Sequence, residues 1–281
     1  MTRGCVIFAH NGDIDYGSQA VLSAKLAIKY LKVPVSLISD AQTILDTQSK
    51  FGVLPFDRII EVPAPIKNNQ RRLNGEIKEF NNGNRSSVWN LTPYDRTLVI
   101  DSDFLIFSDE LSKYWDDLCE FLITPGMMNL QESTIAATEY PISPYSINML
   151  WATNIMFTKN SSTKILFDLV EYIRQEYRYY AELYNFDRSQ YRNDFAFSIA
   201  CHIMSAHGLD QWQGDLPIPL FFLDTAEITD IKENGQITFL SKDLTKLNNY
   251  LVIRSKDQDV HIMNKQSILS NIDRLLELAD D

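Results

Sequence analysis

Residues 97–107 read Thr97-Leu98-Val99-Ile100-Asp101-Ser102-Asp103-Phe104-Leu105-Ile106-Phe107, and the reading of this stretch decides the fold. An apolar run delivers two aspartates one residue apart, and apolar residues then resume. With β-branched Val99, Ile100 and Ile106 among them, the flanks suit a strand buried on both faces of a parallel sheet. Two carboxylates without partners are costly to bury, so Asp101 and Asp103 belong where the strand ends in a cleft. A converging carboxylate pair suits a hard divalent cation whose shell is completed by oxygen ligands such as a phosphate. A strand-end turn, with Asp103 capping whatever follows, is the other reading. The spacing alone leaves both open.

Upstream, Cys5–Ala9 reads as a first buried strand that ends at His10-Asn11-Gly12-Asp13. A helix follows, with Ser18 as N-cap and Ala20, Val21, Ala24, Ala27, Ile28 and Leu31 at the helical period. Val35–Asp40 makes a second strand that finishes on an aspartate. This is a βαβ unit, so the two strands run parallel with a right-handed crossover. Ligands of such sheets bind beyond the carboxyl ends of the strands. That rule places Ala9, His10, Asn11 and Asp40 on the same rim as Asp101 and Asp103. No Gly-rich dinucleotide fingerprint follows the first strand and no Walker-type loop occurs, which counts against a dehydrogenase or a P-loop NTPase.

Arg58–Val62 reads as a third strand, closed by Pro63 and Pro65. The polar, Asn-rich stretch 67–85 then carries Lys67, Arg71, Arg72, Lys78 and Arg85. A local basic cluster ahead of a carboxylate pair suits phosphate binding; a solvated connection is the alternative. After the central strand, Leu111, Tyr114, Trp115, Leu118 and Phe121 predict a helix over 109–121, and 122–150 reads as an irregular loop. Leu150–Phe157 is a strand in which Asn154 stands among apolar neighbours, and such an Asn usually faces a group that needs a hydrogen bond. Thr163–Tyr184 predicts one long helix. Asp194 precedes the helix Phe195–Met204, as a cap or as an active-site carboxylate. Short strands fill 217–254, with Asn234-Gly235 at a hairpin tip, and Asp259–Lys265 leads into a final amphipathic helix.

With 281 residues, no internal repeat and no composition break, one domain spanning 1–281 is the simplest organisation. A formal net charge of −11 argues against a generic polyanion-binding surface, so nucleic acid is a poor candidate partner. The three cysteines, Cys5, Cys119 and Cys201, are widely separated and odd in number, which fits a reducing compartment. No signal-peptide pattern is present, and no apolar run approaches the roughly 20 residues that span a bilayer. The expectation is a cytoplasmic protein without a membrane span, its oligomeric state open and a homodimer among the options.

Taken in this order, the pieces resemble the GT-A fold of nucleotide-sugar-dependent glycosyltransferases, an α/β fold whose Rossmann-like, mixed but mostly parallel sheet is flanked by helices. The matching residues are Asp101-Ser102-Asp103 at a strand end, as the DxD motif, and His261 with Lys265 near the C-terminus. The chain is particularly similar to the glycogenin-like branch, glycosyltransferase family 8. Its segment Thr92–Asp103 also looks like that of small stand-alone phage and bacterial relatives. The resemblance implies metal-dependent transfer of a sugar from a nucleoside-diphosphate sugar, a UDP-sugar first of all, to a glycan, protein or small-molecule acceptor. It implies that Asp101, Asp103 and His261 hold Mn2+ or Mg2+ and that Lys265, Arg85 and Ser102 attend the diphosphate. Ala9, Asn11 and Asp40 would line the nucleoside pocket, and Asp194 and Asn154 would face the sugar as catalytic groups. A nucleotide-binding half, about 1–110, and an acceptor-side half, about 111–281, follow from the same likeness.

Two departures stand out. Asn264-Lys265-Gln266 replaces the Gly and Pro usual around the lysine, and Thr153-Asn154-Ile155 stands where an Asn-Ser-Gly turn is expected. A sugar nucleotidyltransferase is one rival, but it normally carries a Gly-rich basic loop after the first strand, and Ala9–Gly17 contains neither Lys nor Arg. A non-catalytic nucleotide-sugar-binding relative is the other.

Overall fold

The computed structural model of the chain describes all residues except 65–69, 74–75, 80–84, 131–140, 187–190, 244, 247 and 281, and the backbone alone of 70–73 and 76–79. In chain order come β1 (Arg3–Phe8), α1 (Tyr16–Leu31), β2 (Val35–Ser39), α2 (Ala41–Phe51), β3 (Arg58–Glu61) and a hairpin of β4 (Gln70–Leu73) and β5 (Glu76–Glu79). There follow α3 (Val88–Leu91), β6 (Arg96–Ile100), β7 (Phe104–Leu105), β8 (Phe121–Thr124), β9 (Met128–Asn129) and β10 (Trp151–Thr158). The second half holds α4 (Ser161–Gln175), α5 (Tyr177–Leu183), α6 (Asn193–Met204), β11 (Gly214–Asp215) and β12 (Leu220–Phe222). It closes with β13 (Glu227–Ile231), β14 (Ile237–Lys242), β15 (Tyr250–Ser255), β16 (Val260–Ile262), α7 (Lys265–Ser270) and α8 (Ile272–Asp280).

The main sheet has the order β11-β8-β10-β6-β1-β2-β3. Strands β3, β2, β1 and β6 are mutually parallel, β10 is antiparallel to both of its neighbours, and β11 is parallel to β8. The sheet is therefore mixed but mostly parallel, as the sequence leads one to expect. Side-chain alternation divides its apolar residues between two cores. Val6, Val99, Phe121 and Ile155 pack against Phe167 of α4 and Phe197 of α6. Ile7, Leu37, Leu98 and Ile100 face the small Ala20, Ala24 and Ala27 of α1, which lets that helix lie close to the sheet. Burying residues on both faces explains why these strands read as continuous apolar runs.

A second, four-stranded sheet, β7-β16-β12-β9, positions the site. Directly after the aspartate pair, β7 runs antiparallel to β16, so that His261 stands opposite Phe104. Ile262 donates its N–H to the carbonyl of Asp103 at 3.1 Å. The same Asp259 oxygen accepts from the N–H groups of Phe107 and Ser108 at 2.9 and 3.0 Å and from the Ser108 hydroxyl at 3.0 Å, which pins the register of this return.

Several local expectations are corrected. Asp15, not Ser18, caps α1; its carboxylate accepts from the Ser18 N–H at 2.9 Å. Residues 109–121 form a 3₁₀ turn over Glu110–Tyr114 and then enter β8 at Phe121. The proposed helical stripe fails because Leu118 is 97% exposed while Phe121 is fully buried in the sheet. The stretch 122–150 contains the rest of β8 and β9. The long helix breaks at Glu176, which turns Tyr177 and Tyr180 inward and leaves Tyr179 outside. The final helix divides at Asn271. Gly235, with φ of 79°, sits at the expected hairpin tip between β13 and β14. Of the basic stretch, Lys67 lies outside the described residues, and Arg71, Arg72 and Lys78 lie in the β4–β5 hairpin described by its backbone. Among the described residues no helix is long and apolar enough to cross a membrane.

Candidate metal and donor site

Strand β6 ends at Ile100, and the next three residues are clamped by main-chain bonds. Asp101 donates its N–H to the Thr153 carbonyl at 3.1 Å, and Phe104 donates to the Asp101 carbonyl at 3.0 Å. From α1, the Ser23 hydroxyl donates to the Ser102 carbonyl at 2.7 Å. The turn is thus fixed between β10 and α1, and both aspartate side chains leave it toward the return strand β16. Asp103 is buried with Lys265 Nζ at 2.5 Å and His261 Nε2 at 3.4 Å. On its other edge, His261 Nδ1 lies 3.4 Å from the Thr153 hydroxyl.

One ligand atom each of Asp101, Asp103 and His261 falls within 4.8 Å of the others. Two carboxylates and one imidazole form a donor set suited to Mn2+ or Mg2+. The charge distribution fits as well. Burial works against the Asp103 anion, but the Lys265 ammonium and His261 outweigh it and hold this carboxyl far below the usual carboxylate range. Asp101 moves the other way: burial raises it, the Asp103 charge adds to the rise, and the Arg85 guanidinium opposes it. A cation beside both would relieve their mutual repulsion.

Arg85, buried at the start of the turn before α3, bonds both the Asp101 carboxylate and the Ala152 carbonyl. From α6, Asp194 accepts the Ala152 N–H at 3.0 Å and pairs with Arg192 at 2.9 Å. The backbone of residue 152 is therefore held from both sides by residues 85 and 194. Arg192 is the N-cap of α6, so Asp194 lies inside the first helical turn, where the helix dipole favours an anion.

Of the residues singled out in the sequence, Arg85, Asp101, Ser102, Asp103, Asp194, His261 and Lys265 share one cavity, together with His10 on the rim. Ala9, Asn11, Asp40 and Asn154 do not line it. Ala9 is buried, its carbonyl taken by the Ser39 hydroxyl at 2.5 Å. Asn11 is turned to its own loop, its amide oxygen on the Gly17 N–H at 2.9 Å and its backbone N–H on Thr43 at 2.8 Å. Asp40 caps α2 through the Thr43 N–H at 3.0 Å and meets His10 at 3.0 Å. Asn154 lies instead in a separate cavity beside Leu220 and Asp259. Its neighbour Thr153 takes the face toward His261, and alternation along β10 sends Asn154 away.

Tyr16, Thr153 and Arg192 also line the cavity, outside the motifs that the sequence brings forward. Thr153 was legible in principle as the strand neighbour of Asn154 on the opposite face. Arg192 was legible as the cation two residues before Asp194.

No protein-family model and no curated protein sequence matches the chain. Among solved structures, an active-site mutant of LgtC aligns with a TM-score of 0.52 at 13% identity, over 99% of this chain and 95% of that one. The galactosyltransferase LgtC in complex with donor and acceptor sugar analogues gives 0.50 at 13% identity over the same shares. GlyE of Streptococcus pneumoniae TIGR4 gives 0.42 at 11% identity over 77% of this chain and 45% of that one, so the chain spans less than half of GlyE. At such identities the likeness to LgtC concerns the fold, and the fold of this chain is that of the GT-A glycosyltransferases.

Proposed function

We propose that the chain is a metal-dependent glycosyltransferase that moves a sugar from a nucleoside-diphosphate sugar, a UDP-sugar, to a glycan, protein or small-molecule acceptor, and that it belongs with the glycogenin-like enzymes. The observation that carries this reading is the convergence of Asp101, Asp103 and His261 at the carboxyl end of β6, within 4.8 Å of one another. In this reading those three residues hold Mn2+ or Mg2+. When bound, the cation neutralises charge that grows on the departing nucleoside diphosphate. Lys265 and Arg85 add fixed positive charge beside the same phosphates. Ser102 keeps the turn rigid through its carbonyl. Asp194, backed by Arg192, faces the donor sugar and stabilises the positive charge that develops there. Asn154 has no part in the chemistry. The chain works as one domain in the cytoplasm, residues 1–110 serving the nucleotide and 111–281 the acceptor.

The test is a thermal-shift screen of nucleoside-diphosphate sugars with and without Mn2+, followed by turnover of the best donor. Metal-dependent stabilisation by one donor is expected, with release of free nucleoside diphosphate. Asp103→Asn should abolish both the shift and the turnover; survival of turnover in that variant sinks the metal assignment.

A further inference from the structure

Resting on the glycosyltransferase reading, we propose that the acceptor carries an aryl group, which lies in an apolar cavity adjoining the metal and donor site. This second cavity, of about 360 Å³, is bounded by Met127, Met149, Phe195, Phe221 and Leu223. Trp151 and Arg192 line both it and the cavity of Asp101, Asp103 and Asp194, so the two adjoin at these residues. The junction is built from rings. The Trp151 indole packs on Phe221 at 5.8 Å between centroids, and Phe221 packs on the candidate metal ligand His261 at 5.5 Å. The Arg192 guanidinium lies over the Phe195 ring, 4.8 Å from its centre.

The lining decides what fits. Among the described residues that bound this cavity, Arg192 is the one charged side chain and Asn129 the one amide. Sugar hydroxyls pressed against methionine, phenylalanine and leucine lose water without gaining partners, and each such loss is costly. A flat ring loses no hydrogen bond there. Ring–ring contacts with Phe195 and Phe221 and sulfur–ring contacts with Met127 and Met149 favour an aryl group over an alkyl one. The volume is that of a small-molecule cleft.

The residues at the junction add a direction. Nε1 of Trp151 and Nε of Arg192 are buried without a partner among the described residues. Both are donors only. A ligand with an oxygen between its aryl group and its reacting hydroxyl brings the acceptor that these N–H groups lack, and an aryl glycoside is such a molecule. Its ring then lies among the apolar side chains, and the hydroxyl to be glycosylated lies on the charged side, with Asp194.

Isothermal titration calorimetry on the full chain, saturated with UDP and Mn2+, tests this with matched methyl and 4-nitrophenyl glycosides of glucose and galactose. In at least one pair the wild type should bind the nitrophenyl member about tenfold or more tighter than the methyl member. Leu223→Trp, which fills the apolar cavity, should shrink that preference to within about twofold while UDP binds as before. Trp151→Phe keeps a ring and removes the N–H, and should weaken the nitrophenyl glycoside by about threefold or more. No preference in either pair, a preference that survives Leu223→Trp, or unaltered binding in Trp151→Phe overturns the inference alone. Failure of the wild type to bind UDP with Mn2+ overturns the glycosyltransferase reading and takes this inference with it.

Discussion

On the parallel side of the main sheet, the polar groups at the strand ends are matched within the protein, whereas across β6 on the antiparallel side several are not. Asp40 meets Thr43 and His10, the Ser39 hydroxyl meets the Ala9 carbonyl, and Asn11 meets Gly17. Across β6, the amide of Asn154, the indole N–H of Trp151, the hydroxyl of Thr124 and Nε of Arg192 are all buried without a partner among the described residues. Buried polar groups are normally paired, so the second side holds groups whose pairing falls to water or ligand. The lesson is a division of labour. At the ends of β1 and β2 the polar groups are tied to one another, whereas across β6 Trp151 and Arg192 bring unpartnered N–H groups to residues of the cavity wall. Asp101 and Asp103 stand at the seam.

The seam is where the contrast breaks most sharply. Asp103→Ala strands the Lys265 ammonium in a buried position and should destabilise the fold by about 3–5 kcal/mol in denaturant unfolding. Adding Lys265→Met should recover most of that loss; a single variant costing under about 1 kcal/mol would show that the pair is not buried as described. On the matched flank, Asp40→Ala removes a helix cap and should cost about 1–2 kcal/mol by the same measurement. On the unmatched flank the sign reverses. Asn154→Leu keeps the shape while removing two orphaned polar atoms, and a gain of about 1 kcal/mol is expected with turnover unchanged. Lost turnover in that variant would restore Asn154 to the site.

The smallest effect lies away from the sheet and serves as a calibration. The hydrogen bond from Arg174 holds the Glu171 carboxyl down at about 2 against burial, with Gln175 and Ser86 assisting. A depressed carboxyl contributes stability that is whole above its ordinary value near 4.5 and is lost as pH falls toward 2. Glu171→Gln should therefore lower the melting temperature modestly at neutral pH, with the gap to wild type closing as pH falls from about 4.5 toward 2, so that the variant's acid limb is flatter. An unchanged acid limb would mean that the Arg174 contact is not formed in solution.

The parallel flank was the legible part. Continuous apolar runs ending in Asp40 and in Asp101-Ser102-Asp103 announce strands buried on both faces, and the Asn234-Gly235 tip announces a hairpin, because in both cases a local rule and the tertiary fold agree. Legibility failed where spacing matched the wrong period. Leu111, Trp115 and Leu118 imitate a helical stripe, yet Leu118 faces solvent and Phe121 opens a strand. It fails again where face is at stake: Asn154 stands out as a polar group in an apolar strand, but only the register of β10 decides that Thr153 looks into the cavity. His261 and Lys265 carry no local signal at all. Their meaning comes from the pairing of β16 with β7, which no neighbouring residue encodes, and only the resemblance to a known family brought them forward.

That pairing also sets a clock on the protein's own birth. Asp103 leaves the ribosome roughly 160 residues before His261, a gap of about 8–32 s at ordinary rates of synthesis. Through that interval the nascent chain has the parallel strands and both aspartates but neither the imidazole nor the lysine that completes their surroundings. A growing chain therefore cannot assemble the three-residue cation site early, and the last strand to be made is the one that closes it.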